Sequence, residues 1–408
     1  MALPQSSLLD SDKHEKSSQS HAIAPEGEHM SATAELKSSG LEGVSAGKSA
    51  VCCVDQGTLL YRGYEIADLA KNATFEEVAY LLLVGEKPNA TQLANFKKSL
   101  LAHREIPDDV VDILRQTATQ PNAHPMDVLR TCISYMAHFD PDCQSIDPEA
   151  ELRKSTRLTA QIPTIIGHMQ NIIDGRDIVK PDPSLDHAAN LLYMMTGRKP
   201  SAEEARIIDV SLILYAEHDF NASTFTGRVI AGTLSDLHGA VAGAVAALKG
   251  PLHGGANEAA MEMLKEIDQF IAKGGTVDDF MTRAFAEKRK LMGFGHRVYK
   301  NGDHRAGILN ALGRAYAEKK GPDAVKWFDI GDKVQKIMLD QKNIFPNVDF
   351  PCGMTYFTLG IPVPQYTPIF VAARITGWAA HIMEQHQNNR LIRPLAEYTG
   401  PAQRKWNA

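Results

Sequence analysis

Three histidines and one acid fall where this 408-residue chain breaks between helical segments: His218 in AEHDFNASTF, His253 in GPLHGGANEA, His296 in GFGHRVYKNGDHR, and Asp349 in FPNVDF. Taken singly, a histidine near a helix end is more often a cap or a hydrogen-bonded polar group than a catalyst. Four such groups, all at loops or termini, read as a site. The glycines after His253 let backbone approach a ligand closely. The helix that follows begins at about Asn257 or Glu258, so its amide end favours an anion or a neutral imidazole. An imidazole held neutral donates to a carbonyl and stabilises an enolate as an electrophile, which leaves a carboxylate such as Asp349 to act as base.

Arg305, Arg374 and Arg393 stand in or beside apolar or turn contexts. A guanidinium fork matches a carboxylate through two parallel hydrogen bonds, so three of them suggest a di- or tricarboxylate ligand; each alone reads as a structural salt bridge. Other chemistries lack their motifs. GVSAGKS (43–49) is one residue short of a phosphate loop, and GFGH has neither the third glycine nor the preceding strand of a dinucleotide fingerprint. There is no HExxH, HxH or CxxC, so no metal is expected.

These residues need a scaffold, and the scaffold reads as mainly α. In TFEEVAYLLLVGEKP, Thr74 and Glu77 have capping-box spacing, and Gly85 with Pro88 ends the run. SAEEARIIDVSLILYAEH repeats the device with Ser201 and Glu204 and is apolar nearly all round, as a core helix ending near His218 should be. LSDLHGAVAGAVAALKG and PIFVAARITGWAAHIMEQ carry Ala and Gly at helical spacing, which suits either tight internal packing or a subunit interface. AVCCVDQGTLLYRGY predicts one small β-hairpin about a Gln-Gly turn at the start of the folded part. Between 255 and 360, charged amphipathic helices alternate with Gly-containing loops. That block reads as a smaller helical domain inserted into a large one formed by 40–254 and 361–408.

Residues 1–39, rich in Ser and charge, read as a disordered tail without the apolar core of a secretory signal or the arginines of a transit peptide; Met30 offers a second start. A net charge of −6 gives no basic surface for nucleic acid, and no run of about 18 apolar residues suggests a membrane span. Five scattered cysteines read as free thiols in a reducing compartment, the cytoplasm.

PLHGGANE, GFGHRVYK, FPNVDF, ARITGWAAHIMEQ and RLIRPLAEYTGP, in this order, resemble the citrate synthase family, which includes the 2-methylcitrate synthases; GLEGVSAGKSAVCCVDQGTLLYRGYEI resembles its opening. The likeness runs from about Gly40 almost to the C-terminus. It implies a mainly helical homodimer whose large and small domains close on oxaloacetate and then acetyl-CoA, with no metal and no permanently bound cofactor. By position, Asp349 would deprotonate the acetyl methyl, His253 would hydrogen-bond the thioester oxygen, and His296 would polarise the ketone. His218, Arg305 and Arg374 would hold oxaloacetate, with Arg393 arriving from the partner subunit. Gly293, Phe294 and Gly295, with Lys300, Lys342 and Asn347, would meet coenzyme A. Two positions depart from the family's pattern: His304 stands where Pro or Ser is usual, and Leu395 where many members carry a basic residue. HPMDVLRT and LYAEHDFNASTFTGRVIAGT also resemble 2-methylcitrate synthases, and one methylene on the acyl group is worth only about 1–3 kcal/mol of discrimination. The expectation is citrate synthase, with propionyl-CoA as the alternative acyl donor. A helical scaffold that binds a partner protein would explain the helices but not the polar residues at their breaks.

Overall fold

Helix caps and turn residues place the elements. A computed structural model describes residues 41–406 apart from 42 and 56; the tail expected over 1–39 and the start considered at Met30 lie outside the described residues. The strands are β1 (Cys52–Asp55), β2 (Thr58–Tyr61) and β3 (Tyr64–Glu65). The helices are α1 (Ile66–Asn72), α2 (Phe75–Val84), α3 (Ala90–Ala102), α4 (Asp108–Thr117), α5 (Pro125–Met136), α6 (Pro148–Ile173), α7 (His187–Thr196) and α8 (Ala202–Tyr215). They continue with α9 (Ala222–Ala231), α10 (Leu237–Lys249), α11 (Ala256–Ala272), α12 (Val277–Ala286), α13 (His304–Lys320), α14 (Pro322–Lys342), α15 (Asp349–Thr358) and α16 (Tyr366–Gln387). The fold is mainly α.

Both expected capping boxes are present. Thr74 accepts from the Glu77 amide while Glu77 Oε2 accepts from the Thr74 amide at 2.8 Å, and Gly85 closes α2 at φ 99°. Ser201 and Glu204 do the same for α8. That helix is buried on every side from Ile207 to Tyr215 and stops three residues before His218. The hairpin pairs Cys52 with Tyr61 and Asp55 with Thr58, and β3 adds a short third strand that sequence did not suggest.

Chain contacts divide the molecule into two units. Of the first, residues 1–48, the described part is a turn closed by Val44 N–H to Leu41 O at 3.0 Å, followed by an irregular stretch. The second, residues 49–408, carries every helix found among the described residues and the pocket described below.

Within this second unit α16 is the axis. All but two of its 22 residues are buried, and it packs on α2, α6, α8, α9 and α10. The small residues expected to allow close helix approach do so inside the chain. A Cβ on Gly377 would lie 2.4 Å from Ala216 O, and one on Gly243 would meet Ile230 of α9. A second group, α11 to α15, packs among itself, and α13 and α11 also reach α8 and α16. No helix among the described residues is long and apolar enough to cross a membrane.

Candidate active site

The turn between α10 and α11 delivers His253. Gly254 makes this turn possible by packing rather than by approach to a ligand, since a Cβ there would lie 2.6 Å from Leu248 O. The following helix starts at Ala256 with Gly255 as its cap, one residue ahead of expectation. His253 Nε2 faces the Ser223 backbone amide at 3.3 Å and the Ser223 hydroxyl at 2.8 Å. A backbone N–H can only donate, so Nε2 is assigned as the acceptor and Nδ1 as the nitrogen that carries the proton. Burial, with the nearby charge of Arg374, holds the ring's pKa down at about 4. It is a neutral donor.

His296 follows the same logic in mirror image. Its Nδ1 accepts from the amides of Val298 and Tyr299, each at 3.1 Å, so the proton sits on Nε2. Burial first, then Arg305, lowers its pKa to about 4. The loop before it bends at Gly293 (φ 82°) and Gly295 (φ 79°), a region of backbone space that suits glycine. Gly293 also lies against α15, where a Cβ would stand 2.9 Å from Phe350 Cβ. Asn347 stitches loop to helix: its amide nitrogen donates to Gly295 O at 3.0 Å, and its carbonyl accepts the Asp349 amide at 3.1 Å.

Asp349 is the first residue of α15. Tyr215, the last residue of α8, donates its hydroxyl to Asp349 Oδ1 at 2.7 Å. Burial lifts the carboxyl's pKa to about 6, against the lowering effect of that hydrogen bond and of Arg305. A carboxylate poised there is a competent base near neutrality.

Arg305 is 4% exposed and clamped by Asp303, with Nε to Oδ1 at 3.0 Å and Nη2 to Oδ2 at 2.8 Å. Asp303 caps α13 through Oδ1, which also accepts the Arg305 amide at 3.1 Å, and His304 becomes that helix's first residue without disturbing the arginine. Arg374, on α16, is 2% exposed, and its only side-chain hydrogen bond among the described residues runs from Nε to Tyr215 O at 2.7 Å. No carboxylate among the described residues pairs with it; Glu217, whose charge it feels, is held by His381 at 2.9 Å. A buried cation without a counterion is costly, and an anion entering the pocket relieves it. His218 completes this wall. Its ring lies 5.0 Å from that of His296, burial drives its pKa well below 6.5, and its Nε2 has no partner among the described residues.

The catalytic candidates and the two buried arginines border one cavity of about 290 Å³. It unites His218, His253, His296, Arg305, Asp349, Arg374, the 293–295 loop and Asn347. Three expected residues stand elsewhere. Arg393 is exposed on an irregular segment after α16, Lys300 is exposed and reaches only His296 O at 3.3 Å, and Lys342 lies over the Phe285 ring at 4.6 Å. Sequence reasoning missed Asp303, Tyr215 and Ser223, which orient Arg305, Asp349 and His253. Asp303 stood in the motif containing His296, and its helix-cap position two residues before Arg305 was a usable signal.

A family model described as "Citrate synthase, C-terminal domain" matches residues 40–395. A citrate synthase of Deinococcus radiodurans is 44% identical over 369 residues, covering 88% of this chain and 95% of that one. A 2-methylcitrate synthase of Shewanella oneidensis is 42% identical over 382 residues, covering 92% and 98%. Among solved structures, the ternary complex of carboxymethyl coenzyme A and oxaloacetate with the citrate synthase of Thermoplasma acidophilum superposes with a TM-score of 0.83 at 33% identity, covering 90% of this chain and 97% of that one.

Proposed function

Since the chain belongs to the citrate synthase family of acyltransferases, we propose that it condenses acetyl-CoA with oxaloacetate and hydrolyses the citryl thioester to citrate and free coenzyme A. Asp349 removes a proton from the acetyl methyl while the Nδ1–H of His253 donates to the thioester oxygen, forming an enol or enolate. Its carbon attacks the keto carbon of oxaloacetate. Meanwhile His296 Nε2–H donates to the ketone oxygen and delivers its proton to the new alkoxide. Water then cleaves the thioester and releases the thiol of coenzyme A. Arg305, Arg374 and His218 hold the oxaloacetate carboxylates, and Arg393 joins them from the second subunit of a homodimer. The loop 293–295, with Lys300, Lys342 and Asn347, receives coenzyme A.

One observation carries this reading: a single pocket joins a carboxylate with a pKa of about 6 to two imidazoles, each held neutral and each with its proton on the nitrogen left free by the protein. The pocket also draws its walls from both helical blocks, with His218, His253 and Arg374 on one side and His296, Arg305 and Asp349 on the other. This supports a small domain over 255–360 that closes on the large one. The five free cysteines fit a cytoplasmic setting.

The test is thiol release on mixing the protein with oxaloacetate and acetyl-CoA. Turnover that requires both substrates is expected. None would sink the proposal, and faster turnover with propionyl-CoA would reassign the acyl donor.

A further inference from the structure

Far from the pocket, the N-terminal end of α10 meets the loop between α5 and α6. We propose that Cys143, Asp236 and His238 there bind one thiophilic divalent cation of the Zn²⁺ type. Their ligand atoms all lie within 4.8 Å of one another. Tetrahedral Zn²⁺, with bonds of about 2.0–2.3 Å, sets its ligands roughly 3.3–3.8 Å apart, so a contraction of about 1 Å closes the site.

Three independent observations point to a ligand. His238 is 1% exposed, yet its Nδ1 has no hydrogen-bond partner among the described residues, and an orphaned buried acceptor is costly. Its Nε2 faces Asp140 Oδ2 at 3.6 Å, the outer carboxylate that commonly orients a metal-binding histidine. Asp236 forms no ion pair among the described residues; one oxygen accepts the Gly239 amide at 2.9 Å, leaving the other free. The cations nearby are already matched: Arg157 by Asp140 and Asp142, Arg153 by Asp142, Lys154 by Glu151.

Charge closes as well. Burial and Asp236 push the Cys143 thiol up, so it is protonated without metal. Binding exchanges that proton for the cation, forming a sulfur–metal bond and releasing H⁺. One thiolate, one carboxylate and a neutral imidazole then balance a divalent charge, and water takes the fourth position. The ion would staple the 140–147 loop to α10. The helix's thirteen residues put His253, beyond its other end, about 20 Å away, so the expected role is structural.

Co²⁺ is the probe. Added to metal-free full-length protein, one equivalent is expected to give a thiolate-to-cobalt charge-transfer band that Zn²⁺ abolishes and that Cys143→Ser and His238→Asn lack. Absence of the band in the unmodified protein, or its persistence in Cys143→Ser, would overturn the site. Should the variants not fold, alkylation of the unmodified protein decides. Zn²⁺ at about ten times its Kd should slow labelling of Cys143 roughly tenfold without protecting Cys53, and equal labelling with and without Zn²⁺ refutes the proposal.

Discussion

Asp303 and Asp349 are joined through one peptide: Asp303 Oδ2 accepts the Val348 amide at 3.0 Å, and Asp349 is the next residue. The same oxygen takes Arg305 Nη2 at 2.8 Å, so one carboxylate positions both a pocket-lining guanidinium and the backbone of the proposed base. Asp303→Asn keeps the size but loses the charge. It should lower kcat/KM for oxaloacetate about 10- to 100-fold, chiefly through KM. It should also reduce unfolding free energy by up to about 3–5 kcal/mol, as when a buried ion pair loses one partner. Steady-state kinetics and urea unfolding check both, and an unchanged KM would break the link.

Asp349→Ala removes the proposed base but none of the groups proposed to meet the oxaloacetate carboxylates. Condensation should fall by about 10²–10⁴ while calorimetry still detects oxaloacetate binding. Turnover near that of the unmodified protein would exclude Asp349 as the base.

As the proposed base, Asp349 must be ionised, and burial raises its pKa to about 6, so log kcat/KM should drop with unit slope below that pH. His253 and His296, at about 4, stay neutral through this limb and add nothing to it. The Tyr215 hydrogen bond lowers the Asp349 value. Tyr215→Phe should therefore move the limb to higher pH, and a pH profile that does not move would deny the contact any role in tuning the base.

Gly377 lets α16 pass against the end of α8. A Cβ there would stand 2.0 Å from Glu217 Oε2 and 2.4 Å from Ala216 O, and backbone cannot yield as a flexible side chain can. Gly377→Ala should cost about 1–3 kcal/mol in denaturant unfolding and weaken oxaloacetate use by shifting His218, one residue past Glu217. A variant as stable as its parent would show that the helices can part freely.

Arg393 lies outside its own chain's pocket, so its proposed role depends on a partner. Arg393→Ala and Asp349→Ala homodimers should both be impaired. Mixed dimers, which hold one site with both residues and one with neither, should recover about half the activity of the unmodified dimer. Verified heterodimers with no recovery would place Arg393 outside the site.

Much of this was legible because the relevant physics is local. A capping box spans four residues, so Thr74–Glu77 and Ser201–Glu204 announced their helices, and two short β-favouring runs about a Gln-Gly turn announced the hairpin. Polar groups at helix breaks pointed to His218, His253, His296 and Asp349 for a related reason: a ligand is most easily reached where backbone leaves its own hydrogen-bonded ladder.

The sequence by itself determined the helical class, the residue types of the site and the family resemblance. Only the tertiary structure decided what state those residues are in. Tyr215 reaches Asp349 across 134 positions, Ser223 reaches His253 across 30, and Cys143 meets His238 with no spacing motif to mark it. Protonation and charge follow from burial and from distant partners. Both arise only when separate helices pack and remove water, and no short stretch of chain encodes that.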